Sequence, residues 1–547
     1  MQSTSCTVAP LSAGLRPDPP ASQGTLPRRG GRESGALRRT LCALTALLIG
    51  LAPLHAQEAR RGPDRPPVES REGRKLPADS VTQQSITLPD GKRLDFTATA
   101  GSLPLVDEAG KLQAEIAYIA YTRPGENGQE RPVTFAINGG PGAASAYLNI
   151  GAIGPWRLPA DGPSISPSQG VALVPNDGTW LDVTDLVFID PVGTGYSRAA
   201  DGDGKSYWNV ESDSSVLAAA IARYLRTNDR MASPKFYVGE SYGGFRGPLI
   251  AAKLQEDVGV GLSGMVLLSP VLDFAWLQQP RANPLGHVLR LPSFAAAALE
   301  RSGRTPTPEL MRDAEGYATG PYLADLLKGP NDAQAVARLT ERVAALTGLD
   351  PALVRQQAGR VSTGSVQREA DRTSGRVASA YDTAVTGWDP DPTAPHSGFD
   401  DPLLTALQAP LTSAMIDLYA KRLNWRVPNL RYELLNGAVN RSWGWNSGRS
   451  APEALGQLRG VLALDGNMRV LVAHGYTDLV TPYFASKLLI DQIPAYGQPP
   501  RLTLAVYPGG HMFYSRADSR AAFKRDAAAL FSAAVKAREA GEGRASR

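Results

Sequence analysis

The first point in this 547-residue chain where residue types and spacing could do chemistry is a serine between glycines. Phe236-Tyr237-Val238-Gly239-Glu240-Ser241-Tyr242-Gly243-Gly244 reads as a strand turning through Gly-x-Ser-x-Gly into a helix. Such a turn is sharp and strained. Small residues at 239 and 243 let the backbone pass closely, and the serine hydroxyl is pushed out at the carboxyl end of a sheet.

A serine hydroxyl is a weak nucleophile and needs a base. Histidine is scarce enough to choose by elimination: His55, His287, His396, His474 and His511. His55 falls in a leader segment. His287 and His396 fall in a segment of different texture. His474 closes an apolar run and reads as a packing or hydrogen-bonding residue. His511, in Tyr507-Pro508-Gly509-Gly510-His511, follows the last strand and is the expected base. The imidazole needs an acid to orient it and stabilise its charge. Asp478 follows the apolar run 470–473, whereas Asp465 precedes it and would point to the other end of a sheet. The order Ser241, Asp478, His511 is that of the α/β-hydrolase fold. For the oxyanion of an acyl-transfer reaction, the run 133–137 ends in Asn138-Gly139-Gly140-Pro141-Gly142. The backbone amides of Gly140 and Tyr242 are the expected donors. No Lys-Ser/Thr follows that loop, which argues against a phosphate-binding role.

The elements around these residues predict how they are positioned. Short apolar runs at 133–137, 186–189, 236–238, 265–268, 470–473 and 502–506 alternate with helical stretches such as 214–225 and 245–254. That pattern predicts a mostly parallel sheet covered on both faces. Strands near 86–88, 94–98 and 115–122 predict an antiparallel start, with structure beginning near Ser85. Between residues 273 and 430 helical segments such as 331–346 and 351–357 predict a mainly helical insertion, or cap, with Asp350 capping ahead of Pro351. Phe523, Ala527, Leu530, Phe531 and Ala534 share one face of a closing helix. The expected organisation is a signal peptide at 1–56, a disordered lead-in at 57–84, and hydrolase core at 85–272 and 431–539. The 273–430 insertion divides that core, and a disordered tail closes the chain at 540–547.

Residues 1–39 are polar and arginine-containing, and the apolar run 41–51 that follows is about 11 residues, short of the roughly 20 that span a membrane. This reads as a secretory signal, giving an exported, periplasmic or extracellular protein with no stable membrane insertion after cleavage. Six of the 57 basic and two of the 53 acidic residues lie in 1–56, so the remainder carries 51 of each. A balanced charge points away from nucleic-acid partners. Both cysteines, Cys6 and Cys42, are in the leader, so the mature chain has no disulfide and no thiolate nucleophile. No metal-ligand cluster is visible and the chemistry requires no cofactor.

Taken together, Asn138-Gly-Gly-Pro-Gly, Asp190-Pro191-Val192-Gly193-Thr194-Gly195-Tyr196-Ser197, Gly239-Glu240-Ser241-Tyr242-Gly243-Gly244, Asp478 and Gly510-His511 resemble the serine carboxypeptidase family, in family order over about residues 130–515. The cysteine-free mature chain adds a lean toward a bacterial-type member. The resemblance implies release of C-terminal residues from peptides. It also implies that the Asn138 side chain and the Glu240 carboxyl hold the substrate's terminal carboxylate. In eukaryotic members a second glutamate shares that task; its position here is Ala152. The family's tryptophan before the asparagine is Ile137, and its cysteine after the glycine loop is Ala143. The Ala152 departure motivates an esterase or acyltransferase as the alternative. A binding protein on the same scaffold would be expected to have lost a member of the triad.

Overall fold

The computed structural model describes residues 75–545 apart from 126–129, 278–281, 446–447 and 449. The expected signal peptide therefore lies outside the described residues. The strands that build the central sheet are β1 (Ser80–Thr87), β2 (Arg93–Val106), β3 (Leu112–Thr122), β4 (Val133–Ile137), β5 (Asp185–Ile189), β6 (Lys235–Glu240), β7 (Gly264–Leu268), β8 (Arg469–Gly475) and β9 (Leu502–Tyr507). Their order is β1-β2-β3-β5-β4-β6-β7-β8-β9, and the two-residue strand Arg198–Ala199 pairs with β3. The pairs from β1 to β3, and β3 with β5, are antiparallel. From β5 onward every pair is parallel. This is an α/β-hydrolase sheet with one additional antiparallel strand at its edge.

Strands β4 to β7 are buried at every residue, as parallel strands covered on both faces must be. Alternation along β6 divides the core. Phe236 and Val238 join one apolar cluster and Tyr237 the other. The Tyr237 side is covered by α1 (Val210–Thr227) and α2 (Tyr242–Val258) through Leu217, Ile221, Ile250 and Leu254.

Between β7 and β8 come α3 (Pro284–Arg301), further helices including Ala333–Thr347 and Pro351–Gln356, a small hairpin of Arg376–Ala378 with Thr386–Trp388, α4 (Leu404–Asp417) and α5 (Gly437–Arg441). Asp350 Oδ1 accepts from Ala352 N at 2.7 Å, the expected cap. The chain returns through α6 (Leu455–Leu464) and α7 (Tyr483–Ile490) and closes on α8 (Ala517–Ala545). Phe523, Ala527, Phe531 and Ala534 of α8 are buried against the Phe236 side, with Leu530 partly buried.

Two boundaries differ from expectation. Strand β1 opens at Ser80, inside the stretch expected to be disordered. Its sequence, SVTQQSIT, lacks an apolar run because one face of an edge strand meets water. Helix α8 continues through Ala545, past the boundary at 540, in a segment without proline.

Candidate active site

The sharp turn that Gly-x-Ser-x-Gly predicts is present where β6 meets α2. Ser241 has φ 59° and ψ −122°, a region that residues with a Cβ rarely enter and that costs of order 1–3 kcal/mol. A Cβ on Gly239 would lie 2.1 Å from Gly243 O, so the two motif glycines are what lets the turn close. Ser241 N donates to Leu268 O at 2.8 Å, fixing the turn to β7.

Asp478 follows β8 and is fully buried. Its Oδ1 accepts from the amides of Val480 (2.8 Å) and Thr481 (2.9 Å). Its Oδ2 accepts from Thr481 Oγ1 (2.7 Å) and His511 Nδ1 (2.8 Å). The proton on the ring is thereby held at Nδ1, leaving Nε2 as the basic nitrogen. Burial disfavours the charged imidazole. The Asp478 charge, its hydrogen bond and the Glu240 charge outweigh that and hold His511 above the usual histidine range. The Thr481 hydroxyl also lies 2.9 Å from Ser269 O, and Ser269 Oγ donates to His511 O at 2.9 Å.

Ser241, His511, Glu240, Asn138 and Gly140 line one cavity of about 330 Å³. No hydrogen bond joins Ser241 to His511 among the described residues. Such contacts commonly tighten only when substrate binds. Gly140, with φ 103°, reaches the same cavity. A Cβ on Gly139 would lie 2.5 Å from Tyr242 N, so the glycine loop is pressed against the start of α2. Among the described residues neither the Gly140 nor the Tyr242 amide has an acceptor.

Glu240 is buried, and Asn138 Nδ2 donates to its Oε2 at 2.5 Å. Tyr514 OH donates to its Oε1 at 2.9 Å. Burial, partly offset by His511 and these two bonds, pushes the Glu240 carboxyl above the usual range, toward its protonated form. Asn138 is held on both sides. Its Oδ1 accepts from Leu148 N (2.9 Å), and its backbone oxygen accepts from Arg246 Nη1 (2.5 Å). Arg246 is fully buried, pairs with Asp213 at 2.6 Å, and lies over the Tyr242 ring at 4.8 Å. Ala152 is buried in the short helical segment Tyr147–Ile153. Among the described residues no second carboxyl is hydrogen-bonded to Glu240; its partners are Asn138 and Tyr514.

The insertion braces the histidine loop. His511 N donates to Tyr381 O at 2.5 Å, and a Cβ on Gly510 would lie 1.9 Å from that oxygen. Arg516 pairs with Glu300 and Asp382, each at 2.6 Å.

The other candidates stand elsewhere. His474 is buried, bonds Ser486 Oγ through Nε2 at 2.8 Å, and is held near pKa 4 by burial, so it is neutral. His287 lies on α3 and His396 is exposed; neither lines the cavity. Asp465 precedes β8, at the opposite end of that strand from Asp478.

Thr481, Ser269, Tyr514 and Arg246 were not singled out from the sequence. Only Thr481 carried a signal, since Asp-x-x-Thr is a common local capping pattern.

The serine carboxypeptidase family model matches residues 91–280, a span that holds Asn138, Gly140, Glu240 and Ser241 and stops before Asp478 and His511. The chain is 31% identical over 153 residues to the pheromone-processing carboxypeptidase kex1 of Schizosaccharomyces pombe, covering 28% of this chain and 26% of that protein. It is 25% identical over 249 residues to serine carboxypeptidase-like 35 of Arabidopsis thaliana, covering 42% and 48%. The chain thus spans about a quarter to a half of the length of these relatives. The motif resemblance to the serine carboxypeptidase family is shown by these matches. The bacterial-type qualifier is not borne out, these relatives being from a yeast and a plant. Among solved structures, VinJ covers 79% of this chain and 98% of its own at TM-score 0.34 and 12% identity. The fold assignment rests on the strand order described above.

Proposed function

We propose that the chain is a serine carboxypeptidase that releases C-terminal residues from peptides through an acyl-enzyme on Ser241. The observation that carries this reading is that buried Asn138 and Glu240, bonded to each other, line the same cavity as Ser241, with Tyr514 bonded to Glu240. A carboxyl that burial holds toward its protonated form can donate to a substrate's terminal carboxylate, with the Asn138 amide as a second donor. The carboxypeptidase names of the relatives agree with it.

In this reading His511 Nε2 takes the Ser241 proton as Oγ attacks the last peptide carbonyl. The oxyanion is received by the amides of Gly140 and Tyr242. The imidazolium is stabilised by Asp478 and passes its proton to the leaving nitrogen, which departs as the free amino acid. Water, deprotonated by His511, then attacks the acyl group, and Ser241 recovers its proton as the shortened peptide leaves. One water is consumed per bond cut.

Residues 1–56 are read as an export signal, which would place the enzyme in a periplasmic or extracellular space. No helix among the described residues is long and apolar enough to cross a membrane.

The test is turnover of an N-blocked dipeptide with its C-terminus free or amidated, from about pH 4 to pH 8. Preference for the free acid, strengthening as pH falls, is the expected result. Equal turnover of both forms would overturn carboxylate recognition and move the site to the esterase or acyltransferase alternative.

A further inference from the structure

Arg441 stands at the end of α5 and lines the same cavity as Ser241 and His511. Its helix is fixed to the glycine loop. Asn436 N donates to Gly142 O at 2.8 Å, and Asn440 Nδ2 to Pro141 O at 3.2 Å. A further bond, Asn436 Nδ2 to Gly193 O at 2.8 Å, secures the start of the helix. The position of Arg441 is therefore set relative to the reacting centre. A Cβ on Gly437, another lining residue, would lie 2.9 Å from Arg441 Nη1. The guanidinium thus folds back over the start of its own helix.

Arg441 is exposed, and among the described residues it has neither an acidic partner nor a hydrogen bond. The other acidic or basic side chains lining the cavity are Glu240, bonded to Asn138 and Tyr514, and His511, bonded to Asp478; Tyr147 and Tyr381 add phenols whose pKa burial pushes up. Arg441 is the cavity's one permanent cation among the described residues. A guanidinium presents forked donors that match a carboxylate.

We propose that Arg441 makes the site selective for peptides with a carboxylate side chain beside the scissile bond. The inference rests on the proposed function, in which the terminal carboxylate belongs to Asn138 and Glu240, leaving Arg441 for a side chain.

The experiment compares kcat/KM for N-blocked dipeptides carrying Glu, Gln or Lys at each of the two positions, with an Ala-Ala peptide as reference. For a partly exposed charge pair, about a three- to fivefold preference for Glu over Gln at one position is expected in the unmodified enzyme. It should shrink as salt is raised. Arg441→Gln should bring that ratio to about one, Arg441→Lys should keep part of it, and Arg441→Glu should invert it in favour of Lys. The proposal is overturned by equal turnover of Glu and Gln at both positions, or by a preference that survives Arg441→Gln. Turnover of the Ala-Ala reference tells the two levels apart. Its absence would bring down the peptidase reading and this proposal with it, while turnover without an Arg441-dependent ratio would bring down this proposal alone.

Discussion

Tyr514 donates its phenolic proton to Glu240 Oε1 at 2.9 Å, so a hydroxyl three residues beyond His511 holds the carboxyl that immediately precedes Ser241. That bond favours the charged carboxylate, against the burial that favours the neutral one. Tyr514→Phe should therefore move the Glu240 titration further upward. The preference for a free over an amidated C-terminus should persist to higher pH than in the unmodified enzyme. A pH profile of the two kcat/KM values measures this, and an unchanged or acid-shifted midpoint would reject it.

Glu240→Gln should stabilise the fold at neutral pH. The native state holds the Glu240 proton more tightly than the unfolded chain does, so stability is lost as pH rises from the unfolded carboxyl range through the folded pKa. Glutamine has no charge to bury. Thermal unfolding of both proteins should show a gain for the variant at pH 7 that fades toward about pH 4, the ordinary carboxyl range. A gain equal at both pH values would point to packing instead.

Ser241→Ala should lower kcat by about 10⁴-fold or more, and His511→Ala comparably, because members of such a unit do not add. Ser241→Gly should be equally inactive but about 1 kcal/mol more stable than Ser241→Ala, since glycine relieves φ 59° and alanine does not. Denaturant titration of the two inactive variants decides the second point; equal midpoints would remove the strain argument.

Asn138→Ala should raise KM for peptides with a free C-terminus more than for blocked ones. It should also cost about 1–3 kcal/mol of stability, because Leu148 N loses its acceptor in a buried position. Equal effects on both peptide classes would take Asn138 out of carboxylate recognition.

Arg246→Met alone should cost about 3–5 kcal/mol, leaving Asp213 buried without its partner. Adding Asp213→Leu should restore most of that stability. Turnover should stay depressed in the double variant, because the donor to Asn138 O is still missing. A double variant as active as the unmodified enzyme would show that Arg246 does nothing for the glycine loop.

The sequence carried the sheet, and the strand ends that bear the candidate site, clearly. Fully apolar runs such as 236–238 and 265–268 belong to strands buried on both faces. The candidates Ser241 and Asp478 were readable because each follows such a run, and His511 because it follows the last, partly exposed strand; the strand order brings their loops to one end of the sheet. Strand β1 was less legible. An edge strand needs only one apolar face, and SVTQQ offers little of it. Tyr514, Arg246 and Ser269 were hidden for a different reason. They act through contacts between segments far apart in the chain, such as Arg246 with Asn138, and such pairings have no spacing to read.

The contacts of Tyr381 and Asp382 with the histidine loop have a mechanical consequence. Tyr381 O accepts from His511 N and Asp382 pairs with Arg516, so the segment between β7 and β8 buttresses the loop that carries His511. A chain shortened by deleting residues 273–430 would lose both contacts, while His511, the proposed base, would keep its bonds to Asp478 and Ser269, and Arg441 would still be present.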